Sequence, residues 1–111
     1  MLNSGSATRV YLASGVTDMR KSFNGLYGLV CGTFEADPLS GHLFVFCNRR
    51  RNRIKILYFD GSGLWVCAKR LEKGTFGWPA NKTGGIELTQ AQLSLLLGGL
   101  DLRATKKRRW L

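Results

Sequence analysis

Two periods of apolar residues alternate along this chain, and the points where one gives way to the other divide it into elements. Residues 9–13 (RVYLA) read as a short strand of β-prone side chains, ended by Gly15. Met19, Phe23, Leu26, Tyr27, Val30 and Phe34 then recur at spacings of three and four, the apolar stripe of an amphipathic helix over residues 18–34. Thr17 or Asp18 stands where a helix N-cap is wanted, and the Asp18 charge suits the positive helix start. Gly25, Gly28 and Gly32 lower the intrinsic helicity. The helix is therefore expected to rely on packing, with the glycines letting it lie close to a sheet. Asp37-Pro38 through Gly41 reads as a turn.

Three strand-like runs follow, at residues 43–47, 54–59 and 64–71. Residues 48–52 join the first two. Asp60-Gly61-Ser62-Gly63 joins the second and third, and Asp-Gly is a strong hairpin signal. Residues 73–85 hold Gly74, Gly77, Pro79 and Gly84-Gly85 and read as a loop with a short strand candidate at 75–78. Residues 86–88 suggest a last short strand. Thr89 with Gln92 three residues on makes a capping box, followed by Leu93, Leu96, Leu97 and Leu100 as an apolar face and Gly98-Gly99 as a stop. The expected fold is α+β in a single domain over 9–102. A twisted antiparallel meander has one face covered by the N-terminal helix, and the short C-terminal helix lies at its edge. Residues 1–8 are expected to be flexible, and 103–111 (RATKKRRWL) form a basic tail.

Charge narrows the class of partner. The chain has 111 residues, with 17 Lys plus Arg against 7 Asp plus Glu, so the net charge is 17 − 7 = +10. Such an excess favours polyanions. No run of about 18 apolar residues is present, so a membrane-spanning segment is not expected. No basic segment followed by an apolar core opens the sequence, so neither is a signal peptide. Cys31, Cys47 and Cys67 form no CxxC and lie in apolar runs, and read as reduced core residues of a cytoplasmic protein.

Three blocks carry a family resemblance: GVTDMRKSFNGL, DPLSGHLFVFCNRRRNRIKILYFDGSGLWVCAKRLEKGTFGWP and LTQAQLSLLLGGLDLR. Together they resemble the small accessory protein (TnpB or Orf2-like) of bacterial insertion sequences of the sixty-six group, over about residues 9–103. The resemblance implies a protein encoded beside a larger DDE-type transposase and assisting transposition, and it carries no catalytic residues. Cys47-Asn48 stands where relatives often have arginine and glycine.

The candidate sites are basic. Arg49, Arg50, Arg51 and Arg53 occupy the turn after the first of the three runs, where guanidinium forks match phosphates and can reach guanine. The bland alternative is a solvated loop that keeps a small protein soluble. Lys69, Arg70 and Lys73 form a second patch, and strand alternation suggests that Lys55 and Lys69 emerge on one exposed face near Trp65. Trp65 beside those cations is a candidate for stacking on an unpaired base, and an RNA-binding module would use Trp65 and Tyr58 in that way. The alternative is a wet sheet face with cross-strand pairs to Glu72. Lys106, Lys107, Arg108 and Arg109 form a third patch, either a backbone-binding arm or a solubilising end. Arg20 and Lys21 could join the basic surface, but Asp18 as a cap, paired with Arg20, is the simpler expectation.

Catalysis is not expected. The carboxylates Asp18, Glu35, Asp37, Asp60, Glu72, Glu87 and Asp101 stand mostly at turns and helix ends, and His42 is the only histidine. No metal ligands, cofactor or triad can be assembled from them. The expected function is non-catalytic electrostatic binding of DNA, at the element's ends or its target, in cooperation with the transposase. The alternatives are a protein–protein adaptor for the transposase and an RNA-binding module; a metal-dependent nuclease is the remote one.

Overall fold

The run Leu43–Cys47 contains no polar residue, and all five of its side chains are buried. A strand can have that pattern only where both faces of its sheet are covered. The computed structural model, which describes residues 8–79 and 85–98, places it as β2 at the centre of a five-stranded sheet. The other strands are β1 (Val10–Ala13), β3 (Arg53–Phe59), β4 (Leu64–Arg70) and β5 (Gly85–Leu88), in the spatial order β4-β3-β2-β1-β5. The helices are α1 (Phe23–Thr33) and α2 (Gln90–Leu97).

The α+β class holds, and β2-β3-β4 form the antiparallel meander read from the sequence. The sheet as a whole is mixed. β1 pairs parallel with β2, Val10 opposite Leu43, and antiparallel with β5, Val10 opposite Leu88. α1 supplies the crossover that a parallel neighbour requires.

Two cores result. On one face Leu26 and Val30 of α1 pack with Ala13, Phe44, Phe46 and Leu57. On the other, Leu12, Val45, Ile54, Ile56 and Tyr58 are covered by Phe76, Trp78 and the α2 residues Leu93 and Leu96. α2 thus covers the second face and does not merely flank the edge. Thr89 caps it: its hydroxyl accepts from the Gln92 amide, and the Gln92 side chain accepts from the Thr89 amide.

α1 departs from its sequence pattern. It begins at Phe23, and its N-cap Ser22 makes no side-chain capping bond. The Asp18 carboxylate accepts from the Arg20 amide at 2.9 Å and from its guanidinium, which holds residues 18–21 in a turn and delays the helix. Asp18 is therefore not the cap. The space beside Gly28 and Gly32 is open, so these glycines face away from the sheet and do not bring the helix close to it. Cys31 is exposed on α1, unlike the buried Cys47 and half-buried Cys67, so it is not a core residue. At 75–78 only Gly77 makes a bridge pairing. The expected flexible start, all but Thr8, together with Leu100 and the 103–111 tail, lies outside the described residues.

Thr89→Ala should lower stability by about 1 kcal/mol without changing the fold. Urea unfolding checks this; an unchanged midpoint would show that α2 is held by packing alone.

Candidate nucleic-acid interface

The topology gathers loops that are distant in sequence. β1, β2 and β4 end, and β3 begins, at the same end of the sheet. Residues 14–22, 48–52 and 71–79 therefore meet there. Among the described residues every lysine and arginine except Arg9 sits on these loops or on the adjoining strand ends. Of the described carboxylates only Asp18 and Glu72 oppose them locally, and both are engaged, Asp18 by Arg20 at 2.7 Å and Glu72 by Arg70 at 3.0 Å. The Arg20 guanidinium, with the Arg20 amide, holds the Asp18 carboxyl down to about 2. Glu35, Asp37 and Asp60 lie at the opposite end, so the molecule is electrically polarised along its strands.

Asn48 builds the basic turn. Its side-chain oxygen accepts from the amides of Asn52 (3.1 Å) and Arg53 (3.0 Å), and its side-chain nitrogen donates to the Asn52 side chain (2.8 Å). This tight wrap puts Arg51 in the left-handed region at φ 58, unusual for a residue with a side chain. Arg51 does not point outward. Its guanidinium lies 5.6 Å from the centre of the Trp78 ring and donates to the Gly15 carbonyl. Its own carbonyl accepts from the Phe76 amide at 2.7 Å. Consecutive arginines are thereby separated: Arg49 and Arg50 face solvent while Arg51 folds inward. Turning inward carries the Arg51 charge away from the solvent side that its two neighbours face.

Two shallow grooves border the turn. One, of about 450 Å³, runs between Val16, Asp18 and the Arg49, Arg50 and Arg53 side. The other, of about 390 Å³, continues past Arg53 to Lys55 and Arg70. Met19 and Arg53 line both, so the grooves form one cationic band.

The second predicted patch does not assemble as expected. Lys55 is registered opposite Ala68 and Lys69 opposite Ile54, so the two lysines emerge on opposite faces of the sheet. Lys55 donates to the Lys21 carbonyl at 2.8 Å, tying the band to the 14–22 loop. Lys69 donates to the Leu97 carbonyl at 2.5 Å and so closes the C-terminal end of α2. Trp65 shares a face with Lys69 but lies toward the acidic end, where its indole donates to Asp60 at 2.7 Å. Tyr58 is only 8% exposed and belongs to the core, so its ring offers no face to a base. Arg70 and Lys73 are exposed at the basic end, and Arg20 and Lys21 join them there. Lys106, Lys107, Arg108 and Arg109 lie outside the described residues.

Asn48 and Trp78 are the contributors that charge counting missed. An Asn at the start of a turn was the available signal. Among the described residues no group of three or more His, Cys, Asp or Glu gathers as a metal site would require. The Asp60 carboxylate is consumed by its own turn, accepting from Ser62, Gly63 and Trp65, which together hold its pKa well below the usual carboxylate range. No described helix is long and apolar enough to cross a membrane.

Comparison with known proteins matches residues 8–107 to the family described as IS66 Orf2 like protein. An uncharacterized protein, y4hO, of Sinorhizobium fredii (strain NBRC 101917 / NGR234) is 44% identical over 103 residues, 93% of this chain and 90% of that protein. A second from the same strain, y4jC, is 36% identical over 108 residues, 97% of this chain and 92% of that protein. No solved structure matches the chain at a significant level.

Asn48→Ala leaves the Asn52 and Arg53 amides without their acceptor and should destabilise by about 1–3 kcal/mol, while Arg49→Ala should stay within about 0.5 kcal/mol. Denaturant midpoints of the two variants decide it. Equal effects would mean that Asn48 does not organise the turn.

Proposed function

Since the chain belongs to the IS66 Orf2-like family of insertion-sequence proteins, whose role is accessory to transposition and which is not a known catalytic family, we propose that it works there as a DNA-holding factor. Arg49, Arg50 and Arg53 meet phosphates, assisted by Arg20, Lys21, Lys55, Arg70 and Lys73 along the two grooves. The observation that carries this is the convergence of three loops into one cationic end whose local carboxylates are already paired. Arginine suits the task because its fork bonds two phosphate oxygens at once and keeps its charge. Arg51 is a positioning residue in this scheme, holding the turn in shape. Arg49 or Arg50 is the candidate for any base-edge contact, since both are free of the fold. The DDE-type transposase of the same element performs the chemistry, and this protein steadies DNA at the element's ends or its target.

Placement of the aromatics argues against single-stranded RNA as the natural ligand. Tyr58 is buried, and Trp65 is bonded to Asp60 at the acidic end, away from the cations. Base stacking beside a cationic groove is what such modules use. One observation favours the adaptor reading as the second choice. α1 carries no charged residue, and it exposes Phe23 (47%) and Tyr27. In that reading the cationic end meets an acidic face of the transposase instead of DNA.

Binding to a labelled terminal-repeat duplex, a scrambled duplex and single-stranded DNA and RNA should be measured by anisotropy over a range of salt. Replacing Arg49, Arg50 and Arg53 with Ala should weaken duplex binding and flatten the log–log salt slope by about 2.7, three phosphate contacts' worth. Arg51→Ala removes no phosphate contact of its own but loosens the loops that carry the others, so it should flatten the slope by less than the triple variant does. Undiminished duplex binding by the triple variant would overturn the phosphate assignment. Absence of any nucleic-acid binding at low salt would transfer the case to the adaptor.

A further inference from the structure

The two edges of the sheet differ. β5 is four residues long and is followed directly by α2. β4 is seven residues long, has no proline, and carries Leu64, Trp65, Val66, Cys67 and Ala68 before its first charge at Lys69. Among the described residues no strand lies beyond it. Long apolar edges of this kind are templates for further strand pairing, and natural proteins normally blunt them.

The direction of its open hydrogen-bonding groups follows from two flanking bonds. The Asp60 amide donates to the Gly63 carbonyl, and the Leu71 amide donates to the Asn52 carbonyl. With the β3–β4 register between them, alternation assigns the backbone groups of Trp65, Cys67 and Lys69 to β3. Those of Leu64, Val66, Ala68 and Arg70 point outward, away from the sheet.

We propose that two copies of this chain pair antiparallel through β4, with the two-fold axis at Cys67, to form a continuous ten-stranded sheet. In this register Leu64 faces Arg70 of the other copy and Val66 faces its Ala68. All four outward-pointing positions of each strand are then bonded, and β4 is paired along its whole length.

Charge agrees with the antiparallel sense. β4 starts beside Asp60 and ends in Lys69 and Arg70, the latter paired with Glu72 just beyond the strand, with Lys73 following. Self-pairing head to tail lays the basic end of one strand against the Asp60 turn of the other, whereas a parallel pair would stack the cations. Shape agrees as well. Trp65, 45% exposed, comes opposite Lys69 of the other copy. Beside Lys69, on the same face, lies an apolar groove of about 230 Å³ lined by Ile54, Ile56, Cys67 and Leu97. To enter the groove of its mate each indole leaves Asp60, to which it donates in the single copy, and its ring then comes near the Lys69 ammonium. The two basic ends then lie at opposite ends of the joined sheet, so the dimer presents two cationic bands. The pairing itself does not depend on what those bands bind.

The test uses the full chain, freed of nucleic acid by nuclease and high salt. Sedimentation should show a monomer–dimer equilibrium in the micromolar range. Hydrogen exchange should show the Val66 and Ala68 amides protected at high concentration and open at low concentration. Ala68→Pro removes an outward donor at an edge, where proline is tolerated, and should abolish the dimer. The two Cys67 Cα atoms at the axis should stand about 4.5 Å apart, as in a non-hydrogen-bonded pair, within reach of a disulfide. Diamide oxidation of Cys31→Ser should therefore yield a covalent dimer that further replacement of Cys67 by Ser removes. A strictly monomeric chain would overturn the proposal. So would a dimer whose Val66 and Ala68 amides exchange freely at every concentration, and that result would not need any variant to fold.

Discussion

Arg51 joins three stretches of chain that are far apart in sequence. It lies over Trp78, donates to Gly15, and its carbonyl receives the Phe76 amide. Trp78 in turn donates to the Ala13 carbonyl at 3.0 Å from a buried position. The β1–α1 loop, the β2–β3 turn and the segment after β4 are thereby fixed against one another at one end of the sheet. The cationic band is a consequence of that closure. Bonds from Lys55 to the Lys21 carbonyl, from Thr17 to the Cys47 carbonyl and from Leu71 to the Asn52 carbonyl add to the closure, so Arg20, Arg49 and Lys73 are held on one surface. A cation over an indole contributes only about 0.5–2 kcal/mol, but here it also sets the position of the other charges.

Much of this was legible in the sequence. The uninterrupted apolar run of β2 required burial, the Asp-Gly pair required a tight turn, and Thr89 with Gln92 required a helix start. These signals are local, and each involves residues within a few positions of one another. The insertion of β1 beside β2 was not legible, because a parallel pairing across a helix leaves no local mark. Asp18 illustrates a different difficulty. The same carboxylate that caps a helix can bind an amide two residues on, and the guanidinium of Arg20 drew it to the second role.

The placement of Lys55 and Lys69 turned on register. Alternation within β3 was read correctly, but which residue of β4 stands opposite Lys55 depends on the hairpin count, and a slip of one residue moves a side chain to the other face. With Ala68 opposite Lys55, Lys69 went to the α2 side and became that helix's closing donor. Charge counting found the basic end of the protein but not its internal division of labour. Arg49 and Arg50 face outward, whereas Arg51, adjacent and chemically identical, is structural.

In the proposed function the end of the sheet joined by Arg51 is the surface that meets polyanions. Titrating the labelled protein with a short duplex and following backbone amide shifts tests it most directly. Shifts should concentrate in residues 17–21, 48–53 and 70–73, with residues 35–41 and 60–63 unmoved. Shifts centred on the acidic end, or spread evenly over the sheet, would contradict it.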